Sequence, residues 1–249
     1  MVIFFSDLDN TLIFSHRRKY EGAKVVAEFL NGKEQSYISL ELLSVLKDNT
    51  RIKLVPVTTR SIDQYTRIHI LSNELHTNHA LVCNGGVLLV DGKLDEDWLN
   101  ESLILSEQES FEVNKILIML KSDAKVSTIN RLQPFMFYFT CEAVDEYYSY
   151  LIQHADLNKV FIGKDARKIY VIASCINKGS SVERYVHRFG SEKYIIAGDS
   201  DFDIPMLNLE ADGIASIGLK ESISNKRILF SREGSLYAEI AQLLENYVK

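Results

Sequence analysis

The chain alternates short apolar runs with segments of helical periodicity, and several of the runs end in polar residues. Short continuous apolar runs are typical of strands buried on both faces of a parallel sheet, and the periodic segments are typical of helices packed on it. This alternation predicts an α/β fold with a Rossmann-like parallel sheet. The predicted strands are Val2–Phe5, Arg51–Val57, Ala80–Cys83, Tyr194–Ala197, Gly213–Ile217 and Ile228–Phe230, and the predicted helices are Leu40–Lys47, Ser61–Leu75, Asn177–Phe189 and Glu233–Val248.

The middle of the chain has a different pattern. Val87–Val90 and Lys93–Leu94 flank Asp91-Gly92, a hairpin signal typical of antiparallel sheet, directly after the glycine pair Gly85-Gly86. The predicted order downstream is helix, strand, strand, helix, strand, strand, which indicates an inserted α+β module. We therefore predict a core of residues 1–85 and 176–249 and an inserted cap of residues 86–175. The elements predicted for the insert are a helix from a capping box at Ser106 and Glu109 to about Ser122, strands Val126–Ile129 and Phe135–Thr140, a helix Glu142–Ala155, and strands Val160–Gly163 and Lys168–Ala173.

Composition narrows the class of protein. The 249 residues include 28 Lys and Arg against 34 Asp and Glu, a net charge of −6, which argues against a nucleic-acid binder that relies on bulk positive charge. The N-terminus has no basic lead and turns acidic after a few residues, so we expect neither a signal peptide nor a membrane partner. The three cysteines lack metal-ligand spacing and suit a reducing compartment. We expect a cytoplasmic protein, and nothing here predicts its oligomeric state.

Two acidic residues follow the first predicted strand. Asp7 and Asp9 are two positions apart, so extended backbone sends both side chains to one face and brings two like charges together. A divalent cation relieves that repulsion, and Mg²⁺ prefers one or two carboxylates together with water and substrate phosphate. The alternative is a polar turn that caps the next segment, a common use of Asp and Asn.

Three further junctions carry complementary groups. Thr58 and Thr59 follow the second strand, Lys178 opens a helix against the helix dipole, and Asp199 and Asp203 follow a later strand. Ligand sites of open parallel sheets lie outside the carboxyl ends of the strands, so we expect these side chains to converge. The acids are then suited to hold Mg²⁺, and the hydroxyl and ammonium groups to bind phosphoryl oxygens.

These motifs resemble, in order, the four motifs of the haloacid dehalogenase (HAD) superfamily of phosphatases. The matching residues are Asp7-Leu8-Asp9-Asn10-Thr11, then Thr58 with Arg60, then Lys178, then Gly198-Asp199-Ser200 with Asp203. The insert resembles the αββαββ cap of the Cof-type subclass IIB enzymes, which are related to sucrose- and trehalose-phosphate phosphatases. The resemblance implies a Mg²⁺-dependent phosphatase that acts on a small phosphorylated metabolite such as a sugar phosphate.

The resemblance also implies a role for each matched residue. Asp7 is expected to be the nucleophile that forms an aspartyl-phosphate, and Asp9 to protonate the leaving alkoxide and then activate water. Thr58 and Lys178 are expected to bind the transferring phosphoryl group. The expected metal ligands are the Asp7 carboxylate, the Asp9 backbone carbonyl and Asp199, with Asp203 in support.

The chain departs from the family pattern at three positions. Asn10 and Thr59 stand where glycine is usual, and Phe202 where asparagine is common. Asn tolerates left-handed backbone better than other non-glycine residues, so the loop after Asp9 can still form. None of the departures removes a catalytic group.

Other functions stay open at this point. A phosphomutase shares the aspartyl-phosphate and differs only in the acceptor, and a phospho-ligand binding or regulatory protein keeps the fold without turnover. A phospho-receiver module is disfavoured because its acids have a different order and it needs no insert. Arg131, Phe135 and Lys168 of the insert are candidates for substrate contact, although a solvated or structural role is favoured for each; His16–Lys19 and Tyr20–Ser39 receive no predicted role.

Overall fold

The computed structural model describes residues 1–191, 193–232 and 234–248. The chain divides into two compact units, Met1–Leu94 with Lys178–Lys249, and Asp95–Asn177. The hairpin that the sequence assigned to the insert lies in the first unit, because its strand Val87–Val90 pairs with His79–Val82. None of the helices described in these ranges is long and apolar enough to cross a lipid bilayer.

The first unit contains a parallel sheet, two small antiparallel sheets and surrounding helices. Its strands are β1 (Val2–Ser6), β2 (Phe14–Ser15), β3 (Lys24–Leu30), β4 (Lys33–Ser39), β5 (Ile52–Pro56), β6 (His79–Val82), β7 (Val87–Val90) and β8 (Lys93–Leu94), followed after the second unit by β13 (Tyr194–Gly198), β14 (Asp212–Ser216) and β15 (Ile228–Ser231). Its helices are α1 (Leu40–Asp48), α2 (Ile62–Thr66), α3 (His69–Asn73), α7 (Lys178–Phe189), α8 (Ile204–Leu207) and α9 (Leu236–Val248).

The central sheet has the order β15-β14-β13-β1-β5, and all its neighbouring strands are parallel. β1 lies between β13 and β5, with Phe4 opposite Ile195 of β13 on one side and Leu54 of β5 on the other. Phe4 and Phe5 are fully buried, as the apolar run requires for a strand covered on both faces. The predicted α/β class with a parallel core sheet is confirmed.

The second unit is an antiparallel sheet of order β11-β12-β10-β9 with helices. Its elements are α4 (Glu96–Leu105), α5 (Ser110–Lys121), β9 (Val126–Gln133), β10 (Met136–Cys141), α6 (Val144–His154), β11 (Val160–Asp165) and β12 (Lys168–Ala173). The predicted order of the insert is present, preceded by the unpredicted helix α4. The prediction of a capping box at Ser106 and Glu109 is wrong. The Glu109 carboxylate instead accepts from the Cys175 backbone N–H at 2.8 Å and from the Ser174 hydroxyl at 3.1 Å.

The core unit departs from the predicted elements in two places. The segment expected to be one helix over Ser61–Leu75 is interrupted at Ile68, whose backbone is non-helical. The helix begins where predicted. The Ser61 hydroxyl accepts from the backbone N–H of Gln64, and the Gln64 side-chain oxygen accepts from the backbone N–H of Ser61. The segment left without a prediction contains the hairpin β3–β4, which turns at Asn31-Gly32 with both residues at positive φ. Glu233, the expected start of the final helix, lies outside the described residues.

Gly213 tests how tightly the parallel sheet is packed. A Cβ at this position would lie 2.3 Å from the backbone oxygen of Ile196, so Gly213→Ala must push β14 away from β13. We expect a loss of about 1–3 kcal/mol of unfolding free energy. For a chain of this size that lowers the melting temperature by several degrees, roughly 2–4 °C per kcal/mol, as measured by differential scanning calorimetry.

Gly218→Ala is the matched control, because the nearest atom to its new Cβ would be the Ser216 hydroxyl at 4.0 Å. Its melting temperature should stay within about 2 °C of the wild type. Equal melting temperatures for the two variants would contradict the packing account.

Candidate active site

A buried lysine joins two of the predicted acids. α7 begins at Lys178, and its ammonium donates to Asp7 Oδ1 at 2.5 Å and to Asp203 Oδ1 at 2.6 Å. Lys178, Asp7 and Asp203 are 1%, 6% and 0% exposed, so these charges are withdrawn from water and depend on one another. Burial alone would lower the pKa of Lys178, but the negative charges of Asp203 and Asp7 outweigh it and raise this pKa, so the lysine stays a cation.

The second oxygen of Asp203 organises the loop after β13. Asp203 Oδ2 accepts from the backbone N–H groups of Asp199 and Ser200, each at 3.0 Å, and from the Ser200 hydroxyl at 2.9 Å. This fit requires glycine at position 198, where a Cβ would lie 2.4 Å from the Asp203 Cβ. Asp203 therefore holds both Lys178 and the backbone that presents Asp199.

Three acids form a group of the size needed to hold a metal ion. Asp7, Asp199 and Asp203 each offer one carboxylate oxygen, and these oxygens lie within 4.8 Å of one another. Thr11 donates to Asp199 Oδ1 at 2.9 Å and so orients that carboxylate. An all-oxygen, acidic donor set of this kind fits Mg²⁺.

Burial raises the pKa of two of these acids, Asp7 and Asp199. Burial raises the pKa of Asp7 well above its ordinary value, against the opposing effect of Lys178. Burial, followed by the negative charge of Asp203, raises the pKa of Asp199 to about 7. A divalent cation would favour the ionised form of Asp7 and Asp199, which is a second reason why this group of acids fits a metal.

Asp9 has a separate partner. The Arg60 guanidinium makes a bidentate ion pair with it, Nε to Oδ2 and Nη2 to Oδ1, both 2.7 Å. The Asp9 side chain is 49% exposed, whereas that of Arg60 is 13% exposed. The adjacent Asn10 has a φ of 63°, so the left-handed turn expected here forms with asparagine in place of glycine.

Thr58 lies beside the end of β1. The backbone N–H of the preceding Val57 donates to the Ser6 carbonyl at 2.8 Å, and the Thr58 hydroxyl accepts from the Arg60 backbone N–H at 3.2 Å. Thr58 is buried, with 1% exposure. The end of β5 therefore places Thr58 and Arg60 next to the end of β1, in agreement with the predicted convergence of strand ends.

A family model described as Sucrose-6F-phosphate phosphohydrolase matches residues 1–226 of the chain. The chain belongs to this family. The resemblance to HAD phosphatases is thereby confirmed, and the protein is a hydrolase of phosphoric monoesters. Among curated protein sequences, none matches the chain significantly.

Solved structures of HAD-type enzymes share the fold of this phosphohydrolase. The sucrose-phosphatase of Synechocystis sp. PCC6803, solved with sucrose and phosphate, is 15% identical with a TM-score of 0.66, and the match covers 98% of this chain and 97% of that one. The subclass IIB sugar phosphatase BT4131 is 14% identical with a TM-score of 0.60 and 99% coverage of both chains. A trehalose-6-phosphate phosphatase related protein is 18% identical with a TM-score of 0.56, covering 98% and 96%.

The sequence did not predict the contacts of two residues near Asp9 in this phosphohydrolase. Arg60 was recognised as part of a motif but not as the partner of Asp9, and Glu28, which binds Arg60, fell in a segment without a prediction. Asn31-Gly32 was a usable signal for the hairpin that carries Glu28.

The three candidates in the insert have contacts within their own unit. Arg131 donates to the Asn114 side chain at 3.0 Å, Phe135 is fully buried, and the Lys168 ammonium lies 4.9 Å from the centre of the Tyr138 ring. These contacts agree with the solvated or structural roles that were favoured for the three residues.

The raised acid pKa values predict a pH dependence of stability in the metal-free phosphohydrolase. An aspartate whose pKa is raised on folding binds its proton in the folded state and releases it when unfolded, so its stabilisation is lost as pH rises from about 4 to about 7. In EDTA, the melting temperature should be lower at pH 8 than at pH 5. Asp199→Asn removes one of the titrating groups and should show a smaller decrease; an unchanged decrease in this variant would refute the assignment.

Proposed function

We propose that this protein is a Mg²⁺-dependent phosphatase that hydrolyses a phosphorylated sugar through an aspartyl-phosphate on Asp7. The observation that carries the proposal is the buried contact of Lys178 with Asp7 and Asp203 at the ends of strands that also present Asp199. A buried nucleophilic carboxylate with a fixed cation beside it is suited to attack a phosphoryl group.

In the first step an Asp7 carboxylate oxygen attacks phosphorus and the bond from phosphorus to the sugar oxygen breaks. Lys178 neutralises charge on the phosphoryl oxygens, and the Thr58 hydroxyl helps to orient them. Asp9, which takes up a proton and turns one oxygen away from Arg60 as the substrate binds, gives that proton to the departing sugar oxygen. In the second step Asp9, now ionised, takes a proton from water, whose oxygen attacks phosphorus and releases phosphate and the free Asp7 carboxylate.

Asp7 and Asp199, together with the Asp9 backbone carbonyl, are the groups that would hold Mg²⁺, and Asp203 would support them. The ion would neutralise phosphoryl charge and reduce the repulsion between the phosphate dianion and the Asp7 carboxylate. Thr11 keeps Asp199 directed toward its neighbours, and Asp203 also keeps Lys178 in place.

The substrate class comes from the relatives. The family is described by its action on sucrose 6F-phosphate, and the Synechocystis structure holds sucrose and phosphate. Sucrose 6F-phosphate is therefore the first substrate to test, with trehalose 6-phosphate as the second.

The decisive assay measures phosphate release from these sugar phosphates and from p-nitrophenyl phosphate. We expect activity with Mg²⁺ and none with EDTA. Asp7→Asn should lower kcat by on the order of 10³-fold or more, because the variant lacks the nucleophile. Acid-quenched wild-type protein should carry phosphate on Asp7, as detected by mass spectrometry after trapping.

Asp63→Asn is the control, since Asp63 is an exposed aspartate in the first turn of α2. It should retain wild-type activity. Equal rates of wild type and Asp7→Asn would eliminate the proposed mechanism, and activity only on p-nitrophenyl phosphate would eliminate the proposed substrate class.

A further inference from the structure

Glu28 is a buried acid between two arginines. It is 3% exposed, and its Oε2 accepts from Arg60 Nη1 at 3.0 Å while its Oε1 accepts from Arg67 Nε at 3.1 Å. The Ser36 hydroxyl on the neighbouring strand adds a bond to Oε2 at 3.3 Å. A buried carboxylate is costly without partners, and here both of its oxygens are engaged.

The hairpin is bent in a way that turns Glu28 inward. In strand β3, Ala27 and Glu28 are buried in succession between exposed and half-buried neighbours, which regular alternation in a strand with one buried face does not give. The pairing with β4 shifts at this point, so that Val26 lies opposite Tyr37 and Glu28 opposite Ser36. Such a bulge re-aims a side chain, and bulges are frequent next to active sites.

Arg60 connects this buried acid to Asp9. Its Nη1 donates to Glu28, while its Nε and Nη2 donate to the two oxygens of Asp9. Nη1 also donates to the Gln64 carbonyl at 3.1 Å. The planar guanidinium is thus held on one edge by the buried Glu28 and the Gln64 carbonyl and presents its other edge to a half-exposed carboxylate.

We propose that Glu28 is a positioning residue for proton transfer: it fixes the Arg60 guanidinium and, through it, the Asp9 carboxylate. This inference rests on the proposed function, in which Asp9 gives a proton to the leaving sugar oxygen. The hairpin β3–β4 then supports the catalytic acid, a role for a segment that the sequence left unexplained.

The leaving group provides a readout that a purely structural role would not move. A sugar alkoxide is a poor leaving group and needs the proton of Asp9, whereas 2,4-dinitrophenolate leaves without protonation. If Asp9 is misplaced, kcat/KM for the sugar phosphate falls while kcat/KM for 2,4-dinitrophenyl phosphate is retained. The ratio of kcat/KM for the two substrates therefore isolates proton donation from folding and from phosphate binding.

The test is Glu28→Gln, which keeps the size of the side chain but replaces one acceptor oxygen by an NH₂ group. We expect the ratio of kcat/KM for the sugar phosphate to that for 2,4-dinitrophenyl phosphate to fall by about 10-fold or more. Glu34→Gln on the same hairpin is the matched control, because Glu34 is exposed and bonds only Tyr37 among the contacts described for it; its ratio should equal the wild-type ratio. Arg60→Lys should lower the ratio as Glu28→Gln does, and the double variant should be no worse than Arg60→Lys alone, since both act through one guanidinium.

An unchanged ratio for Glu28→Gln, or an equal fall for both substrates, would overturn the proposal. If Glu28→Gln does not fold, as judged by circular dichroism and melting temperature, Glu28→Asp provides the same comparison with the charge kept and the carboxylate withdrawn by one methylene. Wild-type protein that hydrolyses neither substrate would instead refute the proposed function, and the inference about Glu28 would fall with it.

Discussion

The contact on which the site depends is the buried ammonium of Lys178 between the carboxylates of Asp7 and Asp203. It ties the end of β1, the start of α7 and the loop after β13 to a single point. Taking three charges out of water is costly, and the bonds of 2.5 and 2.6 Å from the lysine to the two carboxylates offset part of that cost. Asp199 adds a third carboxylate, so the group carries an excess of negative charge that protons relieve in the metal-free protein and that a divalent cation is suited to relieve in the proposed enzyme.

Close backbone approach makes this geometry accessible. Gly198 has no side chain to displace Asp203, and Gly179, the second residue of α7, allows the Pro205 carbonyl to approach to a distance at which a Cβ would be only 2.4 Å away. Both glycines adjoin residues of the charge cluster, so helix α7 and the loop after β13 pack against each other where their charges meet.

Whether an element or a site contact could be predicted from the sequence depends on how far apart in the chain the interacting residues lie. The acids at strand ends and Lys178 at a helix start were predictable because parallel strands of one sheet present their carboxyl ends together, whatever their separation in sequence. The interruption at Ile68 was not, because the helical spacing of apolar residues continues through it, and the partner of Glu109 was not, because Cys175 lies 66 residues away in the sequence. The burial of Glu28 was unpredictable for another reason. A single glutamate in a strand is ordinarily expected to face solvent, but here a bulge turns two consecutive residues inward.

Asp7 and Asp9, only two positions apart, therefore lie in different environments. Asp7 is buried and held by a lysine that lies 171 residues later in the chain, whereas Asp9 is half exposed and held by an arginine that Glu28 binds. This difference suits the two proposed tasks. A nucleophile must approach phosphorus along one line, which favours a rigid, desolvated setting, while a group that first gives and then takes a proton must reach both the leaving oxygen and water. A half-exposed carboxylate such as that of Asp9 is free to change rotamer unless another group holds it. The Arg60 guanidinium, held in turn by Glu28, fixes its orientation and leaves it accessible to solvent.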